Sequence, residues 1–435
     1  MVSIESIINN ESVVKSAILT FLWAEFLWEF YLSIRQYRKE LTVENVPKEL
    51  KSTLTQETFQ KSKDYSLAKL RFGFVKDTFG VIFSTIVLYE NILSTVWNYA
   101  VYLNNSEAEV STSCIWLVIL SLITTLFDLP FTIYYTFVLE EKFGFNKQTA
   151  GFFIWDKIKT FIVSQAITLM VSSIVIVIIK NGGDYFFIWL WAAVCIITLV
   201  LMILYPSVIA PIFDKYTPLP EGELRTQIEA LASQLKFPLS ELYVVEGSKR
   251  SAHSNAYFYG LFKSKRIVLY DTLLEKDDGT GCKNDEILAI LSHELGHWSH
   301  NHVLKNLIII QVNMFMLFTL FSFMFKAPII YKVVGFYKYQ PVLIGLYVVL
   351  MYIMSPYNAL LSFFTTWLSR RFEFQADRFA VELDRGEPLA RALIQLNKDN
   401  LAFPVYDELY SAYNHSHPPI LERLAALEDG RKKKK

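Results

Sequence analysis

Seven long apolar runs divide this chain, and they constrain its fold more than any other feature. Each run is close to or above the roughly 20 residues that an α-helix needs to cross about 30 Å of hydrocarbon. Hydrophobic residues make up 53% of the 435 positions and charged residues only 19%, too apolar a balance for one water-facing core. The sequence therefore predicts a mostly α-helical, polytopic membrane protein with seven transmembrane helices. The runs are Val13–Ile34, Phe79–Leu103, Cys114–Leu139, Thr160–Ile179, Tyr185–Ile212, Leu307–Ile330 and Val342–Leu368.

Charge and cysteine content exclude other classes. Lys plus Arg and Asp plus Glu are 42 each, so we expect membrane lipid rather than nucleic acid as a partner. The cysteines Cys114, Cys195 and Cys282 are too far apart for a disulfide framework or a cysteine zinc site. Three carboxylates, those of Glu25, Glu29 and Asp128, lie inside apolar runs, where they indicate either local ion pairs or a hydrated interior.

Loop charges predict the orientation in the membrane. Lys and Arg are frequent between Arg35 and Arg71, whereas residues 104–112 contain none, and the positive side of a membrane protein faces the cytosol. Alternation of sides then places residues 214–305, and those after Leu368, in the cytosol. The sixth connection disagrees, because it carries Lys326, Lys332 and Lys338 on the predicted luminal side.

The runs divide the chain into four segments. Residues 1–213 would hold five transmembrane helices with their loops, and residues 305–368 the last two. Residues 214–304 form a cytosolic insertion, in which Leu224–Leu235 has the spacing of an amphipathic helix. Residues 369–435 form a second cytosolic segment with a basic tail. The insertion also contains a small β-element, predicted from two short runs, Glu241–Val245 and Arg266–Tyr270.

The insertion ends in a pattern typical of zinc peptidases. Asn284 is a candidate helix cap, and the helix that follows contains His293-Glu-Leu-Gly-His297, the HExxH pattern. Histidines at i and i+4 lie on one helix face, so His293 and His297 can bind one zinc ion. Glu294 lies about 100° around the helix, which suits a general base acting on a water molecule better than a third ligand.

A catalytic zinc site needs a third protein ligand. The metzincin arrangement requires a histidine six residues after His297, where this chain has Val303. Glu373 and Asp377, one turn apart after the last run, are the alternative: one can bind the metal while the other orients a ligand histidine. His300 and His302 are expected near the membrane surface, either exposed or in contact with a ligand from behind, rather than as ligands themselves.

An ordered series of motifs gives the chain a family resemblance over nearly its whole length. It resembles the integral-membrane zinc CAAX prenyl proteases, although its Glu275–Lys283 connection is shorter than in some relatives. The motifs are Phe137–Asn146, Pro218–Gly222, Val245–Arg250, Ser254–Gly260, Ser292–His297, Arg370–Asp377 and Ser416–Pro419.

The resemblance implies a fold, a cofactor and an activity. The fold would be a ring of seven helices around a large hydrated chamber, with a cytosolic zincin-type metalloprotease domain. One Zn²⁺ per chain would be held by His293, His297 and Glu373. The enzyme would remove the aaX tripeptide from prenylated CaaX proteins by attack of an activated water molecule, and a second upstream cleavage is left open. The implied location is the endoplasmic reticulum membrane, with the inner nuclear membrane as a second site. Lys432 and Lys433 would agree with this location as a retrieval signal; the alternative is a solvated basic tail or a contact with anionic lipid.

Three further site residues follow from the same resemblance. Asn255 would adjoin an edge strand that pairs with the substrate backbone. His417 and Arg423 would donate hydrogen bonds to the tetrahedral oxyanion or to substrate carbonyls.

Two alternatives remain at this stage. One is a membrane quality-control metalloprotease, either of the bacterial heat-shock type or one that clears stalled translocation substrates. The other is a non-enzymatic zinc-binding membrane scaffold, against which Glu294 argues, because a structural site has no use for a base beside its ligands.

Overall fold

Long helices account for most of the structure, a computed structural model that describes residues 10–106, 108–260 and 264–434. The helix at Glu109–Tyr134 continues through the π-helical residues Tyr135–Glu140 to Phe143. The helix at Phe186–Leu204 continues in the same way through Tyr205–Ile209 to Phe213. In chain order the first helices are α1 (Glu11–Thr42), α2 (Gln56–Tyr89), α3 (Ile92–Asn104), α4 (Glu109–Tyr134), α5 (Ala150–Asn181) and α6 (Phe186–Leu204).

The second half of the chain contains the sheet, two further apolar helical segments and a group of shorter helices. A single helical turn lies at Ile329–Lys332. The helix at Val342–Val348 continues as a π-helix to Ile353. The elements are β1 (Tyr216–Pro218), α7 (Glu223–Gln234), β2 (Leu239–Val245), β3 (Ala256–Tyr259), β4 (Lys265–Tyr270), α8 (Asn284–Ser299), α9 (His302–Met324), α10 (Val342–Val348), α11 (Ser355–Glu382), α12 (Gly386–Asp399), α13 (Glu408–Asn414) and α14 (Ile420–Lys434).

Six helical segments of the described chain are long and apolar enough to cross a membrane: Glu11–Thr42, Gln56–Tyr89, Glu109–Phe143, Ala150–Asn181, Gly183–Phe213 and His302–Met324. At most 17% of the apolar stretch of any of them is buried inside the protein. Such surface is stable only against lipid. A seventh span is a bent pair, Val342–Ile353 with Ser355–Glu382, so the predicted number is reached when the pair counts as one.

The second predicted run is wrong in its bounds. Phe79–Leu103 was expected to be one helix, but the structure divides it between α2 and α3. Asn91 lies between them in the left-handed backbone region, with φ 53°, and Asn readily adopts that region. Two helices joined by such a residue change direction, so the second span is Gln56–Tyr89 and α3 is a separate short helix.

The seventh span is bent rather than straight. Its two halves meet at Met354 at an angle of 60°, and Pro356 follows in the first turn of α11. Proline lacks a backbone N–H and fits only the start of a helix, which explains why a new helix begins here. The second half, α11, then continues to Glu382 and carries Glu373 beyond the apolar stretch.

The carboxylates within the spans have different surroundings. Asp128 pairs with Lys76 at 3.1 Å, as expected for a local ion pair. Glu25 and Glu29 make no ion pair within the part of the chain that the structure describes.

A four-stranded sheet forms the β-element, in the order β1-β2-β4-β3. The two predicted strands correspond to β2 and β4, which pair in parallel, with Val245 opposite Tyr270. Strands β1 and β3 pair antiparallel at the two edges, β3 placing Ala256 opposite Leu269. These edge strands have only three and four residues, too few to show an alternation in the sequence.

The sheet packs on α8, and this packing positions the site. Ile287, Leu291 and Leu295 of α8 are buried against Ile267 and Leu269 of β4. Burial of side chains of this size stabilises by roughly 1.5–3 kcal/mol each. Helix α8 begins one residue earlier than expected, because Lys283 rather than Asn284 is its N-cap. The N–H of Lys283 donates to the Glu286 carboxylate at 3.0 Å.

One arginine connects the sheet to the membrane helices. The Arg250 guanidinium donates to Asp214, which follows α6, at 2.7 Å and pairs with Asp156 of α5 at 2.8 Å. His253 contributes a second connection, because its ring stacks on Phe145 at 4.2 Å and its Nε2 lies 3.4 Å from Glu140.

Candidate metal centre

The site lies where α8 crosses α11 at very close range. A Cβ atom built on Gly296 of α8 would stand 3.0 Å from the Cα atom of Ala376 on α11. Because a side chain at position 296 would meet backbone, only glycine allows this approach without a shift. The close contact brings the HExxH helix to the carboxylates of α11.

Three side chains converge at this crossing. His293 Nε2 lies 3.2 Å from His297 Nε2, and these two atoms lie 3.4 and 3.3 Å from the Glu373 carboxylate oxygens. A tetrahedral ion with bonds of 2.0–2.1 Å separates its ligands by about 3.3–3.4 Å. The two histidine distances to Glu373 run to different oxygens, and one donor atom from each of the three side chains lies within 4.8 Å of the others, close enough to hold one ion.

Glu373 has an orphaned acceptor that fits a cation. Its side chain is 3% exposed, and within the described residues its Oε2 makes no hydrogen bond. A buried carboxylate oxygen that makes no hydrogen bond is costly, and a cation bound at this point would offset the cost. The residues present thus fit a metal ion.

Asp377 orients one of the histidines. Its Oδ1 lies 2.8 Å from Nδ1 of His293, which leaves Nε2 of that ring directed to the other ligands. Arg423 donates to both oxygens of Asp377, at 2.9 and 2.7 Å. Burial by itself would lower the pKa of His293, but hydrogen bonds with Asp377 and Glu373 raise it to about 9.

Glu294 follows the candidate ligand His293 in the chain, and it is partly exposed. It makes no side-chain hydrogen bond or ion pair within the described part of the chain. Desolvation raises the pKa of its carboxyl above the ordinary value, which makes the carboxylate a stronger base.

His417 and Arg423 approach the cluster from the C-terminal segment. Nδ1 of His417 lies 2.9 Å from Oε2 of Glu373, outside hydrogen-bond alignment, and its side chain is 68% exposed, so it can reach a bound ligand. Arg423 is buried and held by Asp377, although its NH1 group lies only 3.8 Å from Glu373. The contacts of Arg423 favour a positioning role over direct donation.

Asn255 lies immediately before the edge strand β3. Its carbonyl accepts from Tyr270 N at 3.0 Å, and its exposed side chain accepts from Ala256 N at 2.8 Å. Strand β3 pairs with β4 on one side, has no second partner strand among the described residues, and packs against α8. An extended peptide could add to this edge beside the metal ligands.

One further histidine contacts a candidate ligand from behind, which was one of the two positions expected for it. His302, expected to lie outside the ligand set, has its Nδ1 2.9 Å from Nδ1 of His297. The sequence signal for this contact is its short spacing from His297, and one left-handed residue, Asn301 with φ 55°, directly precedes it.

Comparison with known proteins agrees with this geometry. Residues 33–215 match the family model described as CAAX prenyl protease N-terminal, five membrane helices, and residues 218–431 match peptidase family M48. A human relative, "CAAX prenyl protease 1 homolog", is 46% identical over 96% of each chain. The chain belongs to the CAAX prenyl protease group of the M48 peptidases.

Other members of this family are similar over the whole length. The "CAAX prenyl protease 1" of Saccharomyces cerevisiae is 36% identical over 100% of both chains. The crystal structure of S. mikatae Ste24p superposes with a TM-score of 0.90 at 36% identity, covering 95% of this chain and 99% of that one. Membership makes this chain a multi-pass membrane metalloendopeptidase and argues against the non-enzymatic scaffold.

Proposed function

We propose that the chain is a zinc endopeptidase that hydrolyses prenylated proteins near a C-terminal C-a-a-X sequence. The observation that carries the proposal is the cluster of His293, His297 and Glu373, with ligand atoms 3.2–3.4 Å apart and Glu294 adjoining it. Two imidazoles and one carboxylate are the donor set of catalytic zinc, which leaves one coordination position for water or substrate.

The residues around the cluster suit hydrolysis without a covalent enzyme intermediate. When bound, the zinc ion would supply Lewis-acid stabilisation of developing negative charge. Glu294 would take the proton of the attacking water and transfer it to the leaving amine. His417 would donate to the oxyanion, and Asp377, held by Arg423, would keep His293 oriented.

Substrate would be held in extended form. Asn255 and strand β3 would pair with its backbone, because this edge of the sheet lies along α8. Alternate side chains of the peptide would then face the cleft and the solvent, so that the scissile carbonyl is placed by backbone contacts rather than by side-chain identity.

The substrate class is supported by the relatives and by membrane proximity. Curated relatives are named CAAX prenyl proteases, which implies a prenylated cysteine followed by three residues. In this chain α8 is joined to the membrane helix α9 by His300 and Asn301 alone. A peptide at the cluster would therefore stay close to the bilayer, which can hold its lipid at about 0.8 kcal/mol per buried CH₂.

The same reasoning gives a location. We place the protein in the endoplasmic reticulum membrane. Its catalytic face would lie in the cytosol, where CaaX proteins are prenylated, and its membrane helices would enclose a hydrated chamber. The positive charge between Arg35 and Arg71 supports that orientation.

Cleavage of a matched peptide pair tests the proposal. Purified protein in lipid or detergent is given a peptide ending in C-a-a-X, farnesylated or not, and products are identified by mass spectrometry. Loss of the last three residues from the lipidated peptide is expected, at a clearly higher kcat/KM than from the unmodified one. Equal cleavage of both, or preferential cleavage of unfolded membrane proteins, would favour the quality-control alternative instead.

A further inference from the structure

His302 is buried beside a metal ligand and makes two directed contacts. It is the first residue of α9 and only 2% exposed. Its Nδ1 lies 2.9 Å from Nδ1 of His297, and its Nε2 lies 2.8 Å from Oε1 of Gln375 on α11. Its ring is nearly parallel to that of Phe372, with centroids 3.9 Å apart and an interplanar angle of 10°. These three contacts fix both the place and the rotation of the imidazole.

Proton positions along this chain of contacts follow from elementary chemistry. If His297 binds a cation through Nε2, its Nδ1 must carry the proton, because a doubly deprotonated ring is not accessible near neutral pH. That proton needs an acceptor, and Nδ1 of His302 is the atom in place. His302 then carries its own proton on Nε2, which donates to the amide oxygen of Gln375.

We infer that His302 is a positioning residue that fixes the tautomer and rotation of His297 for metal binding, with Gln375 fixing His302 in turn. The inference rests on the proposed metal site. It gives the two ligand histidines different supports: a carboxylate, Asp377, for His293 and a neutral imidazole for His297. Outer partners of this kind commonly change metal affinity by about 10- to 100-fold.

The neutral partner has a chemical consequence. A carboxylate behind a ligand histidine makes that ligand more basic and transfers more negative charge to the ion. With one carboxylate and one neutral imidazole, the cluster carries less negative charge than a pair of carboxylates would give it. His302 therefore orients His297 without weakening the positive field that the reaction needs.

The test is zinc affinity, measured by competition with a chromophoric chelator on the full-length protein, which needs no turnover. His302→Phe keeps a flat ring against Phe372 but has no acceptor, so we expect zinc to bind about 10- to 100-fold more weakly. His302→Asn returns an acceptor near the position of Nδ1 and is expected to recover most of the loss. His300→Phe is the matched control, because His300 contacts the carbonyl of Gly296 and the ring of His302 but no candidate ligand; a phenyl ring keeps that stacking, so affinity should be unchanged.

Two outcomes would overturn the inference: wild-type zinc affinity in His302→Phe, or an equal loss in His300→Phe. Folding is checked by thermal melting of each variant in the presence of chelator. If His302→Phe does not fold, Gln375→Leu decides, because Gln375 is exposed and its loss spares the core. Weaker zinc affinity in Gln375→Leu than in the wild type supports the positioning role of His302, and an unchanged affinity contradicts it. Retention of zinc by His293→Ala would instead contradict the proposed metal site itself.

Discussion

Asp377 and His293 are 84 residues apart in the chain, yet Oδ1 of the first lies 2.8 Å from Nδ1 of the second. Arg423 holds that carboxylate through two further hydrogen bonds. Asp377→Asn should keep an acceptor for the His293 N–H but lose the charge. We expect zinc affinity to fall by about 10- to 100-fold, measured by chelator competition.

Asp377→Ala is the harsher change, because it leaves the buried Arg423 guanidinium without its partner. Such a loss typically costs about 3–5 kcal/mol of folding free energy. A clear fall in the unfolding midpoint is expected for Asp377→Ala, and a smaller one for Asp377→Asn, which keeps one acceptor for Arg423 but not the charge. Equal stability of the two variants would mean that Arg423 finds another partner.

The proposed division between ligands and base predicts two kinds of variant. His293→Ala, His297→Ala and Glu373→Ala should lose bound zinc, measured by elemental analysis. Glu294→Gln should retain zinc and lose activity by about 10²- to 10⁴-fold, since only proton transfer is removed. Stoichiometric zinc in Glu373→Ala would move the third ligand elsewhere, with Asp377 as the next candidate.

Gly296 controls the spacing of the two helices that carry the ligands. Gly296→Ala places a Cβ 3.0 Å from the Ala376 Cα and 3.2 Å from its carbonyl oxygen. The helices must separate slightly, so we expect a loss of about 1–3 kcal/mol in stability together with weaker zinc binding. Gly151→Ala is the control, because a Cβ there meets nothing within 4 Å and should leave both quantities unchanged.

Zinc affinity should depend on pH through His293. Without a bound ion the pKa of this ring is raised to about 9, and only the neutral ring can bind zinc. Protons therefore compete with the ion at every pH below about 9, and affinity should fall about tenfold for each pH unit lowered, to first order in one proton. Chelator titrations between pH 6.5 and 8.5 measure the slope. A flat profile would show that His293 is already neutral.

The cytosolic orientation can be tested by labelling introduced cysteines in sealed microsomes. A cysteine at Asp278, in the exposed loop before α8, should react with an impermeant reagent added outside. One at Ser106, between α3 and α4, should react only after permeabilisation. The parent protein, whose Cys282 is buried, provides the background. The reverse pattern would place the catalytic face in the lumen.

Local patterns in the sequence were sufficient for much of this molecule. Hydropathy over about 20 residues reports a membrane helix, because each such helix satisfies its own backbone in lipid. The i, i+4 spacing of His293 and His297 reports a shared helix face in the same local way. Glu373 and Asp377, one turn apart after the last span, could be named as candidate partners from local spacing, and the family resemblance selected Glu373 as the ligand.

Other features depended on tertiary contacts. The break at Asn91 and the bend at Met354 interrupt runs whose hydropathy is continuous, so the average over a window conceals them. Strand β3 is recognisable only from its pairing with β4. The partners of the two candidate ligand histidines, Asp377 and His302, are selected by the close crossing at Gly296 and by the left-handed residue Asn301 between α8 and α9. Sequence determines which side chains can bind a metal, because that is a property of each residue. The fold decides which of them meet, because a distance of 3 Å between residues 84 positions apart is a property of the packed helices.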